Sequence, residues 1–179
     1  NISNLNAQLM QGAANLAGIV SWDQKVSWDL TGRLDKINPK DPIIPQVVKD
    51  FLPPSLDANL TSKGHLEKGT HLTAQIDFDR YETWNLKLDQ NPIQGKAANP
   101  MLLDVRWNNI DRAVPYVGWL KSESGGVKLA LVEGQQDIFV ATKVSTHKKT
   151  MLPAGMYQAK LNLKNNRLKI PNFKFDTAD

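Results

Sequence analysis

An all-β fold, a long curled antiparallel sheet with an apolar concave face, follows from three features of the 179-residue sequence. Apolar and polar residues alternate at period two along most of the chain. Turn-forming pairs punctuate the alternation. Only one short stretch looks helical, with a shorter irregular counterpart further on. Strict alternation belongs to strands with one apolar and one wet face. Antiparallel pairing is favoured, because parallel strands buried on both faces read as continuous apolar runs.

The first inward set is Val26, Trp28, Leu30 and Leu34, with Gly32 in register, against polar Ser27, Asp29, Thr31, Arg33 and Asp35. Leu56, Ala58 and Leu60 follow, then Leu72, Ala74, Ile76 and Phe78. The next strands present Trp84, Leu86 and Leu88, then Leu103, Val105 and Trp107, then Val127, Leu129 and Leu131. Ile138, Val140 and Val144 form another set, and Tyr157, Ala159, Leu161 and Leu163 another. Leu168 and Ile170 open the last strand. Past Pro171 the register shifts to Phe173 and Phe175, so Pro171 is expected at an edge, bulge or kink. Turns are expected at Lys63-Gly64, Lys68-Gly69, Asn91-Pro92, Gly95, Asn99-Pro100, Gly125-Gly126, Gly134 and Asn165-Asn166. The last of these reads as a tight hairpin, because Asn tolerates positive φ. After the proline-rich stretch Asn38–Pro45, Gln46–Leu52 predicts a short helix stopped by Pro53-Pro54. Asp111–Leu120 reads as a shorter, irregular counterpart.

Domain organisation reads as a single unit, residues 1–179, within a repetitive β-sheet, and as a piece of a longer chain. A weak internal repeat relates residues 26–90 to 101–176; in it Leu60 matches Leu129 and Leu72 matches Ile138. Hydrophobic residues are 41% and charged residues 22%, which excludes wholesale disorder. No apolar run reaches the ~18 residues of a membrane-spanning helix. The net charge of +4 is too small to imply nucleic acid, and none is expected as a partner. Without cysteine there is no disulfide and no thiolate metal site.

Nine strands of about five residues make an apolar face of ~700 Å², larger than a soluble monomer usually exposes. With little helix to cover it, the sheet must close as a barrel, split into a sandwich or curl into a half-open trough. Extension by repeats favours the trough. Its apolar lining is expected to be Trp28, Leu30, Leu34, Leu60, Leu72, Ile76, Phe78, Trp84, Leu86, Leu88, Leu103, Val105, Trp107, Leu129, Leu131, Ile138, Val140, Leu161, Leu163, Leu168 and Ile170.

Chemistry-bearing constellations are scarce. His65, His71 and His147 fall near expected turns without ligand spacing, so no metal or other cofactor is expected. Asp77 and Asp79 share one strand face, and Arg80 follows them directly; they read as a solvated surface. No catalytic fingerprint is present, and an enzyme is not expected. Lys143, Lys148 and Lys149 around His147 read as a charged hairpin that blocks edge pairing, or as a contact for anionic headgroups.

Several segments carry a family resemblance. Trp28-Asp-Leu-Thr-Gly-Arg-Leu-Asp leads into a proline-rich cap, followed by Phe51-Leu-Pro-Pro-Ser-Leu-Asp-Ala-Asn-Leu and Leu72-Thr-Ala-Gln-Ile-Asp-Phe. Later come Val105-Arg-Trp-Asn-Asn-Ile-Asp-Arg, Leu152-Pro-Ala-Gly-Met-Tyr-Gln-Ala-Lys-Leu and Arg167-Leu-Lys-Ile-Pro-Asn-Phe. From about Ser21 to Phe175 the chain resembles the periplasmic portion of the TamB (translocation and assembly module) family, in the AsmA-like group of bridge-like lipid-transfer proteins. The resemblance implies a "β-taco" sheet with an apolar interior. It implies a periplasmic location and an N-terminal inner-membrane helix absent from this stretch. It also implies phospholipid transport to the outer membrane, and TamA, an outer-membrane barrel protein, as a partner. A role in outer-membrane protein assembly by strand addition is the alternative, and a closed barrel holding one small apolar ligand is a more distant one.

Overall fold

Period-two alternation becomes strand almost throughout. The computed structural model describes residues 2–22, 25–38, 55–78, 81–90, 101–114, 118–132, 135–165 and 167–177. They form β1 (Ile2–Leu9), β2 (Gly12–Ser21), β3 (Ser27–Ile37), β4 (Leu56–His65), β5 (Gly69–Phe78), β6 (Glu82–Gln90), β7 (Met101–Val114), β8 (Gly118–Val132), β9 (Gln135–Val144), β10 (Gly155–Lys164) and β11 (Arg167–Thr177). These eleven strands make one antiparallel meander in chain order. The sheet curls into a trough without closing: β1 pairs with β2 alone and β11 with β10 alone. That overturns the closed-barrel and sandwich alternatives. Local hairpins explain the outcome, since each strand finds its partner in the next segment and nothing brings the two ends together.

No helix occurs among the described residues. The helix expected at Gln46–Leu52 and the turns expected at 91–100 and Gly134 lie outside them. Asp111–Leu120 corrects the reading of an irregular or helical segment. Val114 ends β7 and Gly118 begins β8, so the two run on as a long hairpin. The alternation was disguised because both strands break it at one level. Asn108 and Asn109 are both exposed between buried Trp107 and Ile110, and Asn109 takes φ 58°. Opposite them, β8 shifts register between Ser122 and Ser124. Such a bulge re-aims the strand beyond it. Lys36, with φ 53°, precedes buried Ile37 in the same way at the end of β3.

Two expected turns are corrected for a different reason. Gly64 and Gly125-Gly126 lie inside β4 and β8. Gly64 pairs with Trp28 and Gly125 with Trp107, and each indole lies flat across its glycine. A Cβ at Gly64 would fall 2.1 Å from Trp28 Cζ2, and one at Gly125 would fall 2.4 Å from Trp107 Cζ2. These glycines therefore serve close approach, not chain reversal. The indole N–H groups are also satisfied: Trp28 Nε1 donates to Ser62 Oγ at 2.9 Å and Trp107 Nε1 to Ser122 Oγ at 3.0 Å. Gly64→Val or Gly125→Val should each lower stability by about 1–3 kcal/mol through overpacking. Gly32→Ala, whose Cβ would meet nothing nearer than 3.5 Å, should be neutral or mildly stabilising. Urea midpoints compare the three directly, and equal midpoints would refute the close-approach role.

Pro171 sits in the edge strand β11, where the register shifts between Lys160 and Asn162 of β10. Beyond it Phe173 and Phe175 pair with Ala159 and Tyr157, as the shifted pattern predicts. Asn165, at φ 49°, starts the β10–β11 reversal.

An apolar trough as the candidate functional site

Cross-strand partners share a face of the sheet, so the register defines rows that run across the strands and along the trough. One row runs Leu5, Leu16, Gly32, Leu60, Ala74, Leu86, Val105, Val127, Val140, Ala159 and Phe173, from the first strand to the last without a polar side chain. The adjacent row runs Gly18, Leu30, Ser62, Leu72, Leu88, Leu103, Leu129, Ile138 and Leu161. A third holds Leu34, Ala58, Ile76, Trp84 and Trp107. Every residue expected to line the trough falls on this face. Trp28 joins it opposite Gly64, Phe78 beside Glu82, and Leu131, Leu163 and Leu168 along the far rim. Ile170 lies on it just before the shift at Pro171.

Burial divides the face. Ile37, Phe78, Trp107, Ile110 and Val144 are buried, and they cluster along the rim where β3, β5, β7 and β9 end. Phe78, Trp84 and Trp107 pack there in sequence, with ring centroids 5.6 and 5.5 Å apart. Phe78 and Trp107 are thus core residues of that rim. The central leucines, isoleucine and valines are half-buried: they touch one another, and no second layer among the described residues covers them. Towards β11 the face is open, with Ile170 60% and Phe173 63% exposed.

The opposite face is a charged, hydrated surface. Lys63–Asp29 (2.8 Å), Lys87–Asp89 (3.2 Å), Arg106–Asp104 (3.0 Å) and Lys174–Asp176 (2.8 Å) pair along it. Asp89 also bonds His71, which holds its carboxyl below the ordinary carboxylate range. Shallow depressions there are lined by Lys87, Asp104 and Lys128 around partly exposed Leu102 and Phe139. Lys87, Asp104 and Lys128 alternate in sign across neighbouring strands, and Leu102 and Phe139 leave apolar surface beside them.

Ser62, Ser122 and Gln136 also lie on the trough face, and two further polar features enter it. Tyr157 donates to Pro153 O at 2.8 Å and stacks on Phe175, and its partly buried phenol is pushed above its ordinary pKa by desolvation. The second is an ion pair that does not belong to the expected apolar lining. Glu82 is only 7% exposed and faces Arg112, whose Nε lies 2.9 Å from Oε2 and whose Nη2 lies 3.1 Å from Oε1. Trp84 Nε1 adds a third donor at 2.7 Å. The Glu82 carboxylate is buried next to the Phe78–Trp84 ring pair, while Arg112 keeps part of its side chain in water. The available signal was Glu82 itself, a lone acid in register with Trp84 and Leu86.

The remaining candidates disperse. His65, His71 and His147 lie on separate elements, and no three metal-ligating side chains converge among the described residues. Asp77 lies on the outward face beside Thr83, and Asp79 is outside the described residues. The lysines around His147 do not guard an edge, because β9 and β10 are interior strands. Lys143 instead pairs with Glu123, lowering that carboxyl's pKa through their hydrogen bond. His147 stacks on Trp119 at 5.4 Å, with Lys149 4.9 Å from the indole centroid. This pins the β9–β10 connection to β8.

No protein-family model, curated protein or solved structure matches the chain.

Proposed function

We propose that this chain is a non-catalytic conduit for phospholipid acyl chains. In this reading the tails lie along the trough and the headgroups stay at its wet opening. The observation that supports it is the unbroken apolar row from Leu5 to Phe173, half-exposed and uncovered among the described residues. Each CH₂ left in water costs about 0.8 kcal/mol, so a continuous apolar surface removes most of the barrier to moving a tail. Many similar, weak side-chain contacts suit movement better than one tight pocket would. The resemblance to the TamB family adds the setting: the periplasm, between inner and outer membranes, on a longer protein anchored by an N-terminal helix, with TamA at the outer membrane. The alternative is a scaffold that holds unfolded outer-membrane polypeptide. Photo-crosslinking separates the two. A photoreactive residue at Leu60, Val105 or Leu129 should capture phospholipid from cells, and one at Thr61, Asn85 or Lys128 on the exposed outward face should not. Polypeptide in place of lipid at the inward sites would favour the scaffold, and equal capture from both faces would remove the conduit.

A further inference from the structure

We propose that the tips of the β2–β3 and β4–β5 hairpins form an apolar lip that docks on a phospholipid bilayer and opens the trough to it. Both hairpins are interior to the chain, so the lip depends on neither terminal strand. Val20, Trp28 and Gly64 are cross-strand partners in the outermost trough row on this rim. Trp22, Val26 and Leu66 each stand two residues beyond that row, so the apolar pattern runs on over the rim. On the next two strands the same row continues as Thr70 and Gln90. The apolar face therefore leaves the trough at β2–β4 and ends in polar groups at β5 and β6.

The two tips are held together as one unit. The Leu66 N–H donates to Val26 O at 2.9 Å, and Lys25 pairs with Glu67. Trp22 is 72% and Leu66 73% exposed, whereas Trp28 and Leu30 behind them are half-buried. An exposed indole and leucine set beside Lys25 and Lys68 match the layering of a bilayer interface. The indole sits at headgroup level, the leucine points toward the acyl chains, and the ammonium groups meet phosphates. Area favours a bilayer over a protein partner. Three side chains fall well short of the ~800 Å² per partner that a stable protein interface buries, whereas a bilayer needs only a few interfacial anchors. The lip's purpose rests on the conduit reading: it is where a tail passes between the bilayer and the trough, by way of Trp28 and Leu30.

The chain has no cysteine, so Leu66→Cys carries a single environment-sensitive fluorophore at the lip. On vesicles of phosphatidylethanolamine and phosphatidylglycerol its emission should shift to the blue and be quenched by spin-labelled lipid. The same label on Lys148→Cys, exposed in the β9–β10 connection at the opposite rim, should show neither effect. Trp22→Ser combined with Leu66→Ser should weaken vesicle binding at least about tenfold, because two apolar anchors are lost. Docking is read separately from transport: Val105→Asp, deep in the trough, should bind vesicles as the parent does, so a conduit that fails in transfer leaves this result standing. A Leu66 label that stays in water on vesicles, equal quenching at Lys148, or binding indifferent to the double substitution would overturn the proposal. So would a blue shift that grows with protein concentration without vesicles, which would assign the lip to a second copy.

Discussion

Replacing Arg112 by methionine should destabilise the protein by about 3 kcal/mol, within the ~3–5 kcal/mol expected when a buried ion pair loses one partner. The size follows from what is left behind. Glu82 keeps a single donor, Trp84 Nε1 at 2.7 Å, with its side chain 9% exposed among Phe78 and the indoles. Arg112 is itself 23% exposed, so water can reach part of the vacated space, which argues for the lower end of the range. The pair's net worth is a separate question. Two charges brought out of water recover their desolvation only with good geometry, and a hydrophobic replacement of both is often neutral or better. The double substitution Glu82→Leu with Arg112→Met should therefore recover most of the loss. Urea denaturation of the two single variants and the double gives the coupling between them. Single variants within about 1 kcal/mol of the parent would show that Glu82 is solvated in solution and that the rim is looser than its burial implies.

The same ion pair marks the limit of what period-two reading can deliver. Alternation placed Leu60, Ile76, Leu86, Val105 and Leu129 on one face because strand geometry leaves no other choice once pairing is antiparallel. The shift at Pro171 was legible for the same reason, since a proline must leave the ladder. Three things were not. β1 and β2 escaped because the positive-φ positions of their reversal are Met10 and Gln11, residues that do not mark a turn, with the nearest glycine, Gly12, already in β2. Gly64 and Gly125 were misread because a glycine that admits an indole and a glycine that reverses the chain look alike until the cross-strand partner is known. Glu82 and Arg112 lie thirty positions apart, and only the bulge at Asn109 returns Arg112 to the trough face. Local pattern fixes which face a residue takes; bulges and partners, which depend on the assembled sheet, decide which rim is buried. Openness versus closure likewise belongs to the whole sheet and not to any one strand.

The largest functional effect should come from charge placed in the trough. A single Asp at Leu60, Ile76, Leu86, Val105, Leu129 or Leu161 should abolish or severely reduce lipid transfer by the full-length protein, provided the trough is the path. Each of these side chains is half-buried among apolar neighbours. A carboxylate there lacks a cationic partner and must hold water, or take up a proton, when a tail arrives. Because tails must pass every position in turn, one costly site interrupts the whole path, and a second added elsewhere should make little further difference. The sheet itself is held by main-chain hydrogen bonds between neighbouring strands, so strand content should survive. Circular dichroism of each variant separates a blocked trough from an unfolded one. Asp at Thr61, Asn85 or Lys128, exposed on the outward face, should leave transfer nearly unchanged, as surface substitutions usually do. Neutral Asn at the same inward positions should fall between the two, because an amide costs less to desolvate than a carboxylate. Normal transfer with a folded sheet carrying Asp at both Leu60 and Leu129 would mean that lipid does not travel along this face. The apolar rows would then serve only to hold the curl of the sheet.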